Sequence, residues 1–417
     1  MQVNSDLHIH SKYSKATSPK LDIPTLASES MKKGVQLVAT GDCLHPAWLG
    51  QIKMLKEENG VFKQKASNLD PETDASFILT TEIEDINQVH HLLIVPSISK
   101  AEELYEFMKP HSKDIDSNGR PNVRLDGLHI AEAARSAGAL IGPSHAFTPW
   151  TGVYAYHNSL KECYGDMAEY IYFLELGLSA DTSYADRIAE LKCLTFLSNS
   201  DAHSPYANKL AREFNRFEMK DISFDELKMA IIREKGRKPV LNVGMPPEEG
   251  KYNESACIRC FTHYTIQESI MKNWKCPCGG IIKKGVKDRV NEIASYDKPQ
   301  YPDHRPPYIH IIPLSEIIAK ALGIGPNTKG VQVVWKQLID KYGSEIAALI
   351  DADISNSGVD ARVINAIIAF REGKVKIHPG GGGQYGKIEL LGLPDTDKTS
   401  KKTSKSDSQP QRSLFDF

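Results

Sequence analysis

No apolar run in this chain is long enough to span a bilayer, and its first residues include a histidine pair where a secretory signal would need an apolar stretch. Transmembrane-helix functions are excluded on that ground, and a cytoplasmic, nucleoid-associated location is expected. Neither charge is in excess: 51 basic against 53 acidic residues give a formal net charge of −2. There is thus no global basic field to attract nucleic acid, and any DNA footprint has to be local. Cysteines are few, and four of the seven (Cys257, Cys260, Cys276 and Cys278) fall within 22 residues, while Cys43, Cys163 and Cys193 are scattered. That distribution argues against a disulfide framework and for reduced thiols and a metal.

The remaining composition, 41% hydrophobic and 25% charged, is that of a folded protein. At 417 residues the chain outgrows a single core, so two or three domains are expected. From Val3 to Val243 short apolar runs alternate with helical periods, which predicts an α/β fold with a largely parallel sheet. The expected strands are Val3–Ile9, Gln36–Thr40, Phe77–Thr81, His90–Val95, Ala139–Ile141, Tyr170–Leu174, Leu194–Leu197 and Pro239–Val243. One helix is predicted from Ile23 to Lys33, with Asp22 as N-cap and Gly34 as its stop, and another starts at Ser223, where Glu226 completes a capping-box pattern. Residues 1–245 are therefore assigned to a β/α barrel, 246–307 to a four-cysteine module, and 308–394 to a small, mainly helical domain containing a flexible glycine turn at Gly380–Gly383. Residues 395–417 are rich in Lys, Ser and Thr, cannot bury enough apolar surface to offset ordering, and read as a tether.

Imidazoles and carboxylates gather where the expected strands end. His8 and His10 close the first strand, Asp42 follows the second, Glu82 ends the third, His145 follows the fifth, and Asp201 with His203 follows the seventh. In a β/α barrel those ends share one face, so the groups converge. A His-x-His step on a strand sends both rings to one side, because side chains alternate with period two. For the same reason only one of the neighbours His90 and His91 can enter the pocket. Such mixed ligands suit zinc or manganese, with magnesium as a further option, and their number suits two or three ions.

Asp6-Leu7-His8-Ile9-His10-Ser11, Glu82, His91-Leu92-Leu93, Pro143-Ser144-His145 and Asn199-Ser200-Asp201-Ala202-His203 resemble the successive motifs of the PHP superfamily. That resemblance implies a distorted barrel with a multinuclear metal site. It implies His8, His10, Glu82, His91, His145, Asp201 and His203 as ligands, Asp42 as a less certain one, and His8, His10, Glu82 and Asp201 as the catalytic set. His91 is favoured over His90 by motif position. Two positions depart from the pattern: Lys15 stands where Asp or His is common, and Cys43 follows Asp42. His45 substituting as a ligand and Lys15 contacting a phosphate are both open readings.

Cys257-Ile-Arg-Cys260 and, after fifteen residues, Cys276-Pro-Cys278 have the spacing of a zinc ribbon with a structural zinc. Lys272, Lys275, Lys283, Lys284, Lys287 and Arg289 make that stretch locally basic, so it can grip phosphates or simply present a solvated face. The last residues, with Gln411, Leu414, Phe415 and Phe417, resemble the PIP box that binds the sliding clamp PCNA.

Barrel, ribbon and tail in this order, with Ser11–Pro19 and Thr40–Trp48, resemble the endonuclease Q family. The resemblance implies a repair endonuclease that cuts the phosphodiester 5′ to deaminated bases (uracil, hypoxanthine, xanthine) and at abasic sites. Trp48, Trp150 and Tyr154 are candidates for a base pocket and equally for core packing. Two rival readings are a small-molecule phosphatase of the histidinol-phosphate type, which has no use for a ribbon or a clamp tail, and a catalytically silent scaffold.

Overall fold

The computed structural model describes residues 1–64 and 75–390. The strands Gln2–Asp6, Leu37–Ala39 and Ser76–Glu84 lie parallel in that order. The helix Ile23–Lys33 forms the first crossover. Asp22 accepts a hydrogen bond from the Thr25 amide at its start, Gly34 ends it at φ 87°, and Ile23, Leu26 and Ala27 face the core. At Ser223 only half of the expected capping box forms. The Ser223 hydroxyl accepts from the Glu226 amide, but the Glu226 carboxylate pairs with Arg237.

Beyond Glu84 the pairing turns antiparallel, first to His90–Val95 and then to Leu140–Pro143. On the other side of the first strand, Phe214–Glu218 and Lys238–Gly244 also add antiparallel. The largely parallel sheet expected from the sequence is therefore a mixed one. For the His90–Val95 strand the reason is connection length: a parallel return needs a crossover of a dozen or more residues, and Asp85–Val89 is a tight turn. The Phe214–Glu218 strand, absent from the sequence reading, is hidden by a register shift between Arg216 and Phe217 and by the buried Asn215.

Phe173–Glu175 and Thr195–Leu197 form a separate parallel pair, and side chains complete the wall where ladder bonds stop. Leu7 donates its amide to Asn199 Oδ1, Asn215 donates to the Ser198 carbonyl and to Asn199, and Asn242 donates to the Phe196 carbonyl and to Asn215. Ile9 bridges to Ala202. Asp6, buried at the end of the first strand, accepts from the Ser200 amide and hydroxyl and from the Ala211 amide. This polar lattice fixes the turn that carries Asp201 and His203 against the strand that carries His8 and His10.

The chain then passes through the cysteine module, and Tyr308–His310 adds parallel to the Lys238–Gly244 edge. The helices Leu314–Leu322, Lys329–Tyr342 and Ala361–Arg371 follow, and a hairpin of Val375–His378 and Lys387–Leu390 returns to the cysteine module. The Gly380–Gly383 turn is docked, where the sequence suggests only a flexible link: Glu254 donates its amide to the Gly380 carbonyl, and a β-carbon on Gly382 would lie 2.3 Å from the Cys257 carbonyl oxygen. Only glycine allows that approach, at φ 62°. Among the described residues no helix is long and apolar enough to cross a membrane.

One buried ion pair joins barrel and C-terminal helices. Lys33 Nζ lies 2.5 Å from Glu345 Oε1, both side chains are buried, and Glu345 also accepts from the Leu314 amide and Trp335 Nε1. Removing one member leaves an uncompensated buried charge, which costs about 3–5 kcal/mol. Lys33→Met is therefore expected to lower unfolding stability by about that amount in chemical denaturation, and a loss below ~1 kcal/mol would contradict the assignment.

Candidate metal centre

The strand ends bring together most of the residues that the sequence marks as ligands. His8, His10 and Glu82 form one group with ligand atoms within 4.8 Å of one another, and His10, Asp201 and His203 form a second. His10 Nε2 lies 3.2 Å from Asp201 Oδ1 and 3.4 Å from Glu82 Oε2, and His8 Nε2 lies 3.6 Å from Glu82 Oε1. The other nitrogen of each ring is held from behind: His8 Nδ1 by Glu175 at 2.9 Å, His10 Nδ1 by Asp42 at 3.1 Å, and His203 Nδ1 by the Asp201 carbonyl at 3.0 Å. With Nδ1–H donated outward, each Nε2 is the atom free to bind a cation. His8 Nε2, His10 Nε2 and Asp201 Oδ1 are buried without any hydrogen-bond partner. Orphaned buried donors and acceptors are rare in folded proteins, and these three converge on one point, which fits a bound divalent ion.

A third group shares Glu82: His90 Nδ1 and His145 Nε2 each lie 2.9 Å from Glu82 Oε1. Here the reading of the sequence is corrected. His90, not His91, faces Glu82. The cross-strand register pairs His90 with Glu84 and His91 with Ile83, so His90 shares the face of Glu82 and Glu84 while His91 points to the opposite side. There His91 lies beside Asp85 and Cys163.

Asp42 stands behind His10 and outside these groups. Its Oδ2 accepts from the Ser11 amide, the Ser11 hydroxyl and the Ser14 hydroxyl, at 2.6, 2.6 and 2.9 Å. Cys43 is buried in the core and its thiol is pushed up by burial and by Asp42. His45 stacks on Tyr13, and Lys15 reaches out to Asp114 at 3.3 Å. Neither belongs to the three groups. Two residues that touch the centre escaped the sequence reading. Glu175 ends a strand just as Glu82 does, so the same rule finds it once the strand is placed at Phe173–Glu175 rather than one register earlier. Arg120, with Nη1 3.5 Å from Glu82 Oε2, sits in an irregular loop and leaves no periodic signal. Asp42, His145 and Asp201 adopt positive φ of 50°, 27° and 48°. Such backbone is costly for residues other than glycine and persists where the surrounding structure imposes it.

The charges of the centre are coupled. Burial opposes ionisation of Glu82, but His90, His8 and His10 outweigh it and hold the carboxyl well below its usual range. Asp201 follows the same pattern, with burial opposed by His203, His10 and His8. Burial also opposes charging of His8 and His10, yet Glu175 and Glu82 around His8, and Asp201, Asp42 and Glu82 around His10, raise both well above 6.5. Burial lowers His203 to about 4, so its imidazole is neutral near pH 7.

Of the aromatic candidates, Trp48 is core, donating Nε1 to the Thr40 and Gly41 carbonyls, and Tyr154 is buried with its hydroxyl on Glu190. Trp150 is exposed, and Lys283 Nζ lies 3.3 Å from its ring centroid. Between this loop and the cysteine module opens a cleft of about 300 Å³, lined by Phe147, Pro149, Tyr154, Lys283, Lys284 and Arg289. Arg289 ties the two sides by donating to the carbonyls of Tyr154 and His157.

The four cysteines of the module converge, with Cys257 Sγ 3.5 Å from Cys278 Sγ and Cys260 Sγ 3.5 Å from Cys276 Sγ. A zinc–thiolate tetrahedron with bonds of about 2.3 Å has edges of about 3.8 Å, whereas a disulfide requires about 2.05 Å. The local core comprises Cys257, Cys276 and Ile282, with Tyr264 and Trp274 against it. So small a core needs a metal to hold it.

The raised pKa values of His8 and His10 have a consequence for metal loading. In the metal-free protein their imidazolium forms contribute stability in full below about pH 6.5, and that contribution is lost as pH rises through the raised folded-state values. A cation has to displace those protons. Titrating zinc into chelator-stripped protein at pH 7 is expected to release more protons to an indicator dye than the four thiols of the cysteine module account for, with affinity rising as pH rises; uptake with no release beyond those thiols would contradict the arrangement.

Residues 313–374 match the family described as the MJ0043 C-terminal domain. The chain is 47% identical over 253 residues to the uncharacterized protein MJ0043 of Methanocaldococcus jannaschii, a stretch that is 59% of this chain and 31% of that protein. It therefore spans about a third of that relative's length. It is 30% identical to the uncharacterized protein YqxK of Bacillus subtilis over 93% of this chain and 99% of that one. Among solved structures, the lesion-specific endonuclease PfuEndoQ of Pyrococcus furiosus is similar with a TM-score of 0.88 and 47% identity, over 97% of this chain and 100% of that one. A complex of endonuclease Q with a 27-mer duplex carrying an abasic lesion at the active site is similar with a TM-score of 0.88 and 48% identity, over 94% of this chain and 97% of that one. With this identity sustained along nearly its whole length, the chain belongs to the endonuclease Q family.

Proposed function

We propose that this chain is a metal-dependent endonuclease that cuts DNA at lesions: at abasic sites, and 5′ to deaminated bases such as uracil, hypoxanthine and xanthine. The observation that carries the reading is the strand-end cluster with its orphaned His8, His10 and Asp201 atoms, on a chain alike throughout to an endonuclease held on abasic DNA. In this reading His8, His10, Glu82, Asp201, His90, His145 and His203 hold two or three divalent ions, zinc or manganese or magnesium, with Glu82 shared between sites.

Bound there, such ions neutralise the phosphate and lower the pKa of a water to about 7. The chain's own groups do the rest. Glu175 and Asp42 hold the His8 and His10 rings in place. Asp201 and His203, with side chains 19% and 25% exposed, stand at the solvent side of the cluster, where the neutral His203 ring offers its Nε2 to a cation. Arg120 places a guanidinium beside Glu82, where negative charge grows on the phosphate being cut. Lys283, Lys284 and Arg289 supply the local positive charge that the whole chain lacks. An abasic or deaminated nucleotide stacks and pairs poorly, so extruding it costs only a few kcal/mol and confers selectivity before chemistry. Clamp binding would rest on Gln411, Leu414, Phe415 and Phe417, which lie outside the described residues, as does the tether of residues 395–417. Binding of a sliding clamp through that peptide is part of the proposal.

The deciding assay compares nicking of a duplex bearing one abasic site, or one uracil, with release of phosphate from small esters. Nicking that is metal-dependent, lost on chelation and abolished in Asp201→Asn is the expected result, and activity confined to small esters would favour a phosphatase instead. Arg120→Met is expected to lower kcat by about 100-fold with little change in KM. An unchanged kcat would remove Arg120 from the reacting charge.

A further inference from the structure

On the outer side of the His90–Val95 strand, facing away from the metal centre, Asp85, His91 and Cys163 bring their ligand atoms within 4.8 Å of one another. All three are buried: 1% exposed for Asp85, 0% for His91 and 6% for Cys163. Their other polar atoms are already engaged. Asp85 Oδ1 accepts from the amides of Asn87 and Val89 at 2.7 and 2.8 Å, and His91 Nδ1 meets the Tyr164 hydroxyl at 2.8 Å. What remains is Asp85 Oδ2 and His91 Nε2, 3.3 Å apart, and neither makes a hydrogen bond. A simple histidine–carboxylate pair would aim its N–H at the oxygen. This pair comes close without that alignment, as two groups do when both aim at a shared third point.

We propose that Asp85, His91 and Cys163 form a second buried metal site of this barrel, suited to zinc, with three protein ligands and the fourth position of the tetrahedron left to a water. A tetrahedral cation with bonds of about 2.05 Å to nitrogen and oxygen sets those two ligand atoms about 3.3 Å apart, the spacing found here. A carboxylate, a thiolate and a dication sum to zero charge, which is the state that a dry interior tolerates. When the ion binds, the Cys163 thiol releases its proton to solvent. Donation of the Nδ1–H to Tyr164 leaves the Nε2 lone pair for the metal, the usual division of labour in a ligating histidine. Gly127 leaves the room required: a β-carbon there would lie 2.7 Å from Cys163 Sγ and 3.2 Å from His91 Cε1. The site pins the Asp85–His91 turn and strand to the Leu160–Tyr164 helix, and so fixes the position of His90, the next residue along the strand, in the metal centre on the opposite face.

The test is anomalous diffraction from crystals of the full chain grown with zinc, recorded on either side of the zinc absorption edge. A peak enclosed by Asp85 Oδ2, His91 Nε2 and Cys163 Sγ is expected. No peak there would overturn the proposal and leave a buried acid–imidazole pair. Metal content measured by mass spectrometry in Cys163→Ala gives a second reading. That variant should carry one metal equivalent fewer than the parent while retaining the four-cysteine zinc, and unchanged metal content in a folded variant would equally overturn the proposal.

Discussion

The constraint on which the rest of the molecule depends is electrostatic: a set of carboxylates and imidazoles is driven together in a nearly dry pocket, with too few hydrogen bonds among them to satisfy every atom. Glu82 is the hub, reached by His8, His10, His90, His145 and Arg120. Without compensation, several ionised groups in low dielectric would be costly, and the imidazolium–carboxylate network of the metal-free chain offsets that cost only in part. His8 Nε2, His10 Nε2 and Asp201 Oδ1 remain without a hydrogen bond. Cations complete the arrangement, and the positive φ at Asp42, His145 and Asp201 records how firmly the scaffold imposes it.

The supporting structure makes sense in this light. Ladder pairing alone does not hold the Asn199–His203 turn, so buried Asp6, Asn199, Asn215 and Asn242 anchor it through side-chain hydrogen bonds. Farther out, Arg289 fastens the four-cysteine module to the Tyr154–Asn158 loop, the glycine turn at Gly380–Gly383 docks on the same module, and Lys33–Glu345 joins the C-terminal helices to the first crossover. The C-terminal elements thus brace both the module and the barrel, although they contribute none of the ligand atoms.

Much of the site was legible in the sequence because period-two alternation and strand-end placement are local properties. His8, His10, Glu82, His145, Asp201 and His203 could be named from where the apolar runs stop, and the four cysteines from their spacing. What misled was anything decided between strands. Whether His90 or His91 faces inward depends on the register against Glu82 and Glu84, and motif position gave the wrong neighbour. Asp42 reads as a ligand from its place after a strand, yet Ser11 and Ser14 turn it toward holding His10. Glu175 required the strand end to be placed to the residue, and Arg120 belongs to a loop without periodicity. The parallel sheet was overestimated because strand direction is set by which strands pair, and strand composition does not record that.

Glu82, at the centre of the strand-end cluster, is the residue that would hold the barrel's cations together. The most direct measurement is the metal content of purified full-length protein and of Glu82→Ala, by mass spectrometry, with far-UV circular dichroism as a check on folding. The variant is expected to keep the metal of its four-cysteine site and to lose the ions of the strand-end cluster. A folded Glu82→Ala protein with the full parental complement of metal would contradict that role of Glu82.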